Sequence, residues 1–505
     1  MANIIGTNGN DTLLGSDSDD TINGKAGNDT ITVSYGNDTL TGGGGKDIFV
    51  YNLDFYSTYT DIITDFGGIG KGVNPSAAVI AEVDTLKFQG AELTPQNLLL
   101  TQNGNNLEIT FEALLNSFGE NLSPKVILQN FALENLNNLS KSTGATVDLG
   151  NILFNGQTSI IDSFDVFNAN STQSTIFNKN TVTFLNDLDN NVNGFDNSDD
   201  VINGQGGNDI IDGKSGNDLL RGGAGNDTLI GGAGNDTLDG GTRNDSQNVD
   251  TGNDSLVGGT GNDYLNVEFS TGNNTLNGGA GNDTLNIDYS TGNNLLSGDD
   301  GNDFLSASIA RNDALGQSNA ASGNNTLDGG VGNDTLNIDY SRGNNLLNGG
   351  DGNDFLSAIT ALGNDTLDGD NGNDTIKGGN GNDILAGGNG NDSLYGGTGI
   401  DTFAFTNYSE GLDRIYDFNA TNELIQVSAD NFGGRLSSST SIGSLEASQF
   451  TIGTSATTSD QRFIYNNATG GLFFDQDGSA GGFTQVKFAQ LSVGLSLTEN
   501  NFVIV

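Results

Sequence analysis

Aspartate is the one chemically active side chain that recurs with regularity in this sequence. It closes a G-N-D triplet, or a near variant, every nine residues: Asp11, Asp20, Asp29, Asp38 and Asp47, then Asp200, Asp209, Asp218, Asp227, Asp236, Asp245, Asp254 and Asp263. The series continues with looser spacing through Asp283, Asp303, Asp334, Asp354, Asp365, Asp374, Asp383 and Asp392. Hard carboxylate oxygens in such number point to cation binding. The 505 residues hold 64 acidic against 17 basic side chains, a formal net charge of -47, so a surface of this kind repels nucleic acid and anionic lipid. Cysteine and histidine are both absent. That removes thiolate and imidazole zinc sites, thiol nucleophiles, H-E-x-x-H centres and Ser-His-Asp triads.

Carboxylates spaced this way need an element that holds them in register. In Gly222–Ile230, GGAGNDTLI, the first six residues tolerate left-handed backbone and predict a tight turn. The next three, Thr228-Leu229-Ile230, predict a short strand whose central leucine points inward. Two nonapeptides then complete one coil, with a strand on each of two sheets and a turn on each of two edges. Aspartates eighteen residues apart stack on one edge, with coils about 4.8 Å apart. Two such rows of negative charge require cations between them. Calcium, which accepts six to eight oxygens in flexible geometry, suits them better than magnesium. Turn carbonyls such as those of Gly207, Gly216, Gly225 and Gly234 would complete its shell. One leucine per nonapeptide is a thin core against the entropy of ordering nine residues, so metal binding and folding are expected to be one event. The alternative is a calcium-free, leucine-rich β-helix that uses Asn and Asp only as turn formers.

The repeat changes between Gly261 and Leu362, where units of eleven and nine residues alternate. The longer ones, such as GNDTLNIDYST from Gly281, place Leu285, Ile287 and Tyr289 at period two and predict a longer strand. The shorter ones read GNN, with Asn274, Asn294, Asn325 and Asn345 in the aspartate position, and predict an edge that binds metal weakly or not at all. A near-copy begins 51 residues after Gly272, at Gly323. Taking Arg311-Asn312-Asp313 as a degenerate turn gives five half-coils, and the calcium edge then changes side. A bulging loop at 311–322 would leave the edges unchanged.

Five segments are expected: a short array over 1–51, a β-rich cap or small sandwich over 52–155, a linker and N-terminal cap over 156–197, the main array over 198–398 and a C-terminal β cap over 399–505. Both arrays end alike, GKDIFVY then DIITDF, and GIDTFAF then DRIYDF, with phenylalanines placed to cover an open core. A P-loop-like Gly213-Lys214-Ser215 lacks the earlier glycine, since Asn208 occupies its place. The start of the chain shows no signal peptide, and no apolar run has transmembrane length.

The nonapeptides closely resemble the calcium-binding repeats of RTX proteins, the hemolysin-type β-roll, over roughly half of the chain. The array-ending motifs and FDQDGSAGG, from Phe474, are similar to that family's C-terminal flank. The resemblance implies an all-β fold, a right-handed parallel β-roll, with Asp209, Asp218, Asp227 and Asp236 as calcium ligands. It further implies bacterial export by type I secretion machinery from an uncleaved C-terminal signal, and a secreted or cell-surface location. With no catalytic module in evidence, a calcium-binding structural or surface-associated protein is expected. An adhesin for polysaccharide or cells is the alternative, and a carboxylate-based glycosidase or polysaccharide lyase within 52–197 a remoter one.

Overall fold

The computed structural model describes residues 1–52, 59–90, 93–112, 124–308, 323–433, 436 and 443–505. Nearly all regular structure is β-strand, and most strands are three to six residues long. Among the described residues no helix is long and apolar enough to cross a membrane. The fold is a parallel β-roll in which each strand of the repeat arrays pairs with the strand one coil on, with antiparallel pairs confined to the flanking segments. Two compact units divide the chain: 1–213 with 219–224, and 214–218 with 225–505.

In the second unit Thr228–Ile230 pairs in parallel with Ser246–Asn248, placing Thr228 opposite Ser246, eighteen residues on. Thr237–Thr242 pairs likewise with Ser255–Thr260 on the other sheet. Alternation sends the middle residue of each strand inward, and Leu229, Leu238, Leu256, Leu265, Leu276 and Leu285 are fully buried. The core is thus one file of leucines per sheet. Gln247 breaks the file as a buried polar residue in a leucine position, with Val249 buried two residues on.

The longer units depart from expectation. The strand stops at Thr284–Asn286, and only Ile287 adds to the core. Tyr289 instead takes left-handed backbone, φ 62°, as do Phe269 and Tyr340 at equivalent places. Its ring stacks on that of Phe269, centroids 4.8 Å apart. The extra residues form a wider turn, because Ser290 N–H bonds back to the Ile287 carbonyl.

Residues 311–322, proposed as a half-coil, lie outside the described residues, but the flanking strands settle the count. Leu295 pairs with Thr326, and Phe304 with Thr335. Consecutive strands on both sides keep their sheets, so no half-coil is added and the edges do not exchange. The odd count is therefore incorrect.

The first unit holds the short array. Thr12–Leu14, Thr30–Thr32, Ile48–Asn52, Thr85–Gln89 and Ile152–Leu153 form one sheet. Asn3–Ile5, Thr21–Asn23, Thr39–Thr41 and Thr60–Ile63 form the other, which Lys125–Leu128, Asn106–Phe111 and Leu98–Asn103 extend. Phe49, Phe66, Phe88, Phe111 and Phe131 replace the leucine file and close the core. Phe164–Val166, Val182–Phe184 and Val201–Asn203 lead in parallel into Leu219–Ala224, from which Arg221 bonds Asn203 at 3.0 Å and pairs with Glu112. At the far end of the second unit, Thr402–Phe405, Leu424–Val427 and Phe502–Ile504 continue one sheet, and the hairpin Phe463–Asn466 with Gly471–Phe474 lies in the other.

Candidate metal centres

Each turn ends in a G-N-D triplet whose asparagine and aspartate do different work. The aspartate turns inward: Asp236, Asp245, Asp254, Asp263, Asp283 and Asp303 are at most 3% exposed. Its Oδ1 accepts the N–H of the aspartate one coil earlier, as from Asp218 to Asp236, 2.9 Å, from Asp236 to Asp254, 2.8 Å, and from Asp245 to Asp263, 2.7 Å. The asparagine stays at the surface and bonds in the opposite sense. Asn226 Oδ1 accepts from Asn244 N–H at 3.1 Å, and Asn244 Oδ1 from Asn262 N–H at 2.8 Å. Each pair of turns is thereby clamped in both directions. The sequence reading treated Asn as a turn former and missed this ladder.

The other carboxylate oxygen, Oδ2, carries the chemistry. In Asp29, Asp38, Asp47, Asp236, Asp245, Asp254, Asp263, Asp283, Asp303, Asp334, Asp354, Asp365, Asp374, Asp383 and Asp401 it is buried without a hydrogen-bond donor. Most of these oxygens face a glycine five residues earlier, whereas Asp38, Asp254 and Asp365 have Val33, Val249 and Thr360 at that place. A Cβ on Gly240 would lie 2.6 Å from both Asp245 Oδ2 and the Gly258 carbonyl of the next coil. On Gly258 it would lie 2.6 Å from Asp263 Oδ2 and 2.5 Å from the Gly278 carbonyl. Glycine therefore leaves open a cradle in which carboxylate and carbonyl oxygens from adjacent coils converge. Gly234, at φ 143°, approaches the Gly216 carbonyl just as closely, and the Gly234 carbonyl in turn abuts Gly252.

Such rows are electrostatically frustrated. Burial, then the neighbouring carboxylates, pushes Asp245, Asp303, Asp374 and Asp383 up to about 7, and Asp38, Asp254, Asp263 and Asp334 to about 6. A buried, donor-free anion is costly, and a cation beside it removes the cost. The donor set is oxygen only, which fits calcium. Among the described residues no three acidic side chains converge on one point. One carboxylate per turn with backbone carbonyls accounts for this, because the ligands are shared between coils.

The expected residues divide into groups. Asp209, Asp218, Asp227, Asp354, Asp365, Asp374 and Asp392 are buried in the rows. Asp11, Asp20 and Asp200 also stand in register, but their Oδ2 atoms accept from the N–H groups of Thr7, Ser16 and Phe195. In those turns the second glycine of the repeat is replaced by Thr, Ser or Phe. Further members went unnoticed in the sequence. Asp38 N–H donates to Asp61 and Asp47 N–H to Asp84, both at 2.8 Å, while Asp383 N–H reaches Asp401 at 3.0 Å and Asp392 N–H reaches Asp413 at 3.1 Å. Burial with adjacent carboxylates raises Asp84 and Asp413 to about 8.

The GNN edge is chemically different. Asn294 Nδ2 donates to its own turn's Gly292 carbonyl and to Asn325 Oδ1, both at 2.9 Å. Asn345 Nδ2 does the same toward Gly343 O, 3.0 Å, and Asp365 Oδ1, 2.9 Å. Asn274 Nδ2 reaches Asn294 Oδ1 at 3.0 Å. An amide N–H thus stands where the aspartate rows place a donor-free Oδ2, and it ties its own turn to the next coil.

The RTX calcium-binding nonapeptide repeat (4 copies) matches residues 3–31, 24–54, 196–220, 212–247, 248–268, 270–286, 290–309, 319–337, 341–358, 359–394 and 368–403. No curated protein matches the chain. Both arrays are built of these repeats, and the chain belongs to the RTX calcium-binding repeat family.

Proposed function

We propose that the buried aspartate rows bind calcium between successive turns, and that the roll folds only when those ions arrive. The donor-free Oδ2 row carries this reading. Asp29, Asp38, Asp47, Asp236, Asp245, Asp254, Asp263, Asp283, Asp303, Asp334, Asp354, Asp365, Asp374, Asp383 and Asp401 supply carboxylates, and glycine carbonyls of the adjacent turn supply the remaining oxygens. Asp209, Asp218, Asp227 and Asp392 are assigned the same role from their places in register. Such a chain stays unfolded in calcium-poor cytoplasm and orders where calcium is millimolar. Far-UV circular dichroism during a calcium titration tests this. Strand signal is expected to rise cooperatively with calcium and to collapse with chelator; an unchanged spectrum in chelator rejects it.

The product of this switch is a secreted, calcium-stabilised structural or surface-associated protein of a bacterium, exported by type I secretion machinery. One observation supports export before folding. Phe502–Ile504 pairs with Leu424–Val427, and Phe502 is 1% exposed, so a signal in this region is readable only in the unfolded chain. Removing residues 440–505 is expected to retain the protein inside the cell; continued export would refute the route. The complete lack of histidine and cysteine in the sequence supports a non-enzymatic role.

A further inference from the structure

The outward faces of the second unit's sheets are not chemically alike. On the sheet that begins with Thr228–Ile230, the third residues of successive strands are Asn248, Asn266, Asn286, Ser306, Asn337 and Ser357, none of them acidic, with Ser306 and Ser357 buried against the carboxylates of Asp288 and Asp339. The same row continues with Lys377, in register with Tyr395, which stacks on Tyr416 with centroids 4.4 Å apart and planes 3° off parallel. Lys377 Nζ lies 5.0 Å from the Phe355 ring centre and 5.8 Å from that of Tyr395. Arg414 lies 4.7 Å over the Tyr416 ring. In a chain with 64 acidic residues, neither cation makes an ion pair among the described residues. Ring faces hold both in place instead.

We propose that Phe355, Lys377, Tyr395, Arg414 and Tyr416 form a docking surface for an acidic polysaccharide, a polymer whose sugars carry carboxylates. Charge complementarity is the first argument. Two cations that make no ion pair among the described residues, set side by side in so acidic a chain, attract an anion, whereas the acidic remainder of the molecule repels it. The second is shape. Parallel, partly exposed rings on a flat sheet offer the apolar C–H face of a pyranose a platform, and the adjoining cations reach its carboxylate through charge-assisted bonds. An acidic peptide would dock best by adding a strand, but these strands already have partners on both sides. A membrane or nucleic acid presents a far denser negative array, which a chain of net charge -47 opposes. The surface exists only in the folded roll and so rests on the calcium-dependent folding proposed above.

The test uses the full chain in saturating calcium, with circular dichroism reporting the fold in every sample. Hyaluronan oligosaccharides serve as the carboxylate-bearing probe and dextran as the neutral one. Binding to hyaluronan that weakens with sodium chloride, and none to dextran, is expected. The K377Q/R414Q double variant should bind hyaluronan about tenfold more weakly or worse, the worth of one or two charged hydrogen bonds, with an unchanged spectrum. Y395A/Y416A should weaken it too, and R342Q should not. The proposal is overturned if the folded chain ignores hyaluronan, binds dextran equally, or binds normally as K377Q/R414Q. A concentration-dependent dimer lost in K377Q/R414Q would overturn it in favour of a second copy of this chain. Hyaluronan binding that survives chelation would leave the surface standing while removing calcium-dependent folding.

Discussion

At the residue scale, the decisive contrast is between an aspartate whose second oxygen lacks a donor and an asparagine whose amide supplies one. Asp283 and Asn294 occupy equivalent places on opposite edges, yet Asp283 Oδ2 is donor-free and Asn294 Nδ2 makes two 2.9 Å bonds. The asparagine edge therefore coheres without metal. Substituting Asn294→Asp with Asn325→Asp should remove those donors and add buried charge. At limiting calcium the variant is expected to be less stable by about 1 to 3 kcal/mol per site, and in millimolar calcium to bind more ions and regain thermal stability. Equilibrium dialysis and thermal melts measure both; unchanged stoichiometry and an unchanged melt would contradict the stand-in role of the amide. The aspartate rows were legible because their spacing alone sets their stacking. The outer ladder was not, since the Asn226 bond to Asn244 joins residues eighteen apart and depends on a rotamer. The donors to Asp11, Asp20 and Asp200 were not readable either, because Lys25, Ser34, Asp299 and Asp370 stand at the same place as Thr7 and Ser16 while Asp29, Asp38, Asp303 and Asp374 keep a donor-free Oδ2.

At the scale of elements, three-residue strands with one inward leucine follow directly from the pattern, and Thr228–Ile230 has that burial. Period two failed in the longer units because the strand cannot outrun its neighbours. Ile287 still joins the ladder, its N–H bonded to the Ser306 carbonyl, but the next residues must turn to meet Asn294. Tyr289 then sits at positive φ, where a bulky residue persists only because its surroundings fix it. The stacking on Phe269 is one such constraint. The array-ending D-x-I-x-D-F motif shows a division of labour that sequence did not reveal. Its first aspartate, Asp61 or Asp413, extends an acidic row. Its second, Asp65 or Asp417, accepts from Gly42 and Gly43 or from Gly396 and Gly397, at 2.8 to 3.0 Å. Phe66 and Phe418 then cover the core. A motif that resembled a mere terminator is thus a cap with three separate contacts.

For the whole molecule, the acidic rows make protons and calcium competitors. In the unfolded chain aspartates titrate near 3.9, whereas in the metal-free roll Asp245, Asp303, Asp374 and Asp383 are raised to about 7, and Asp84 and Asp413 to about 8. Between those limits the folded chain holds more protons than the unfolded one. Metal-free stability is therefore fullest below pH about 4 and is lost as pH rises toward 7 to 8. Calcium displaces the same protons, so its affinity moves the other way and falls on acidification. In chelator the chain should be unfolded at pH 8 and should gain strand signal as pH is lowered to about 5. In calcium, the midpoint concentration for folding should climb as pH drops from 8 to 6. Circular dichroism over a grid of pH and calcium measures both slopes. A midpoint independent of pH would mean that the buried carboxylates are not the groups that calcium meets, and the aspartate rows would then be turn chemistry alone.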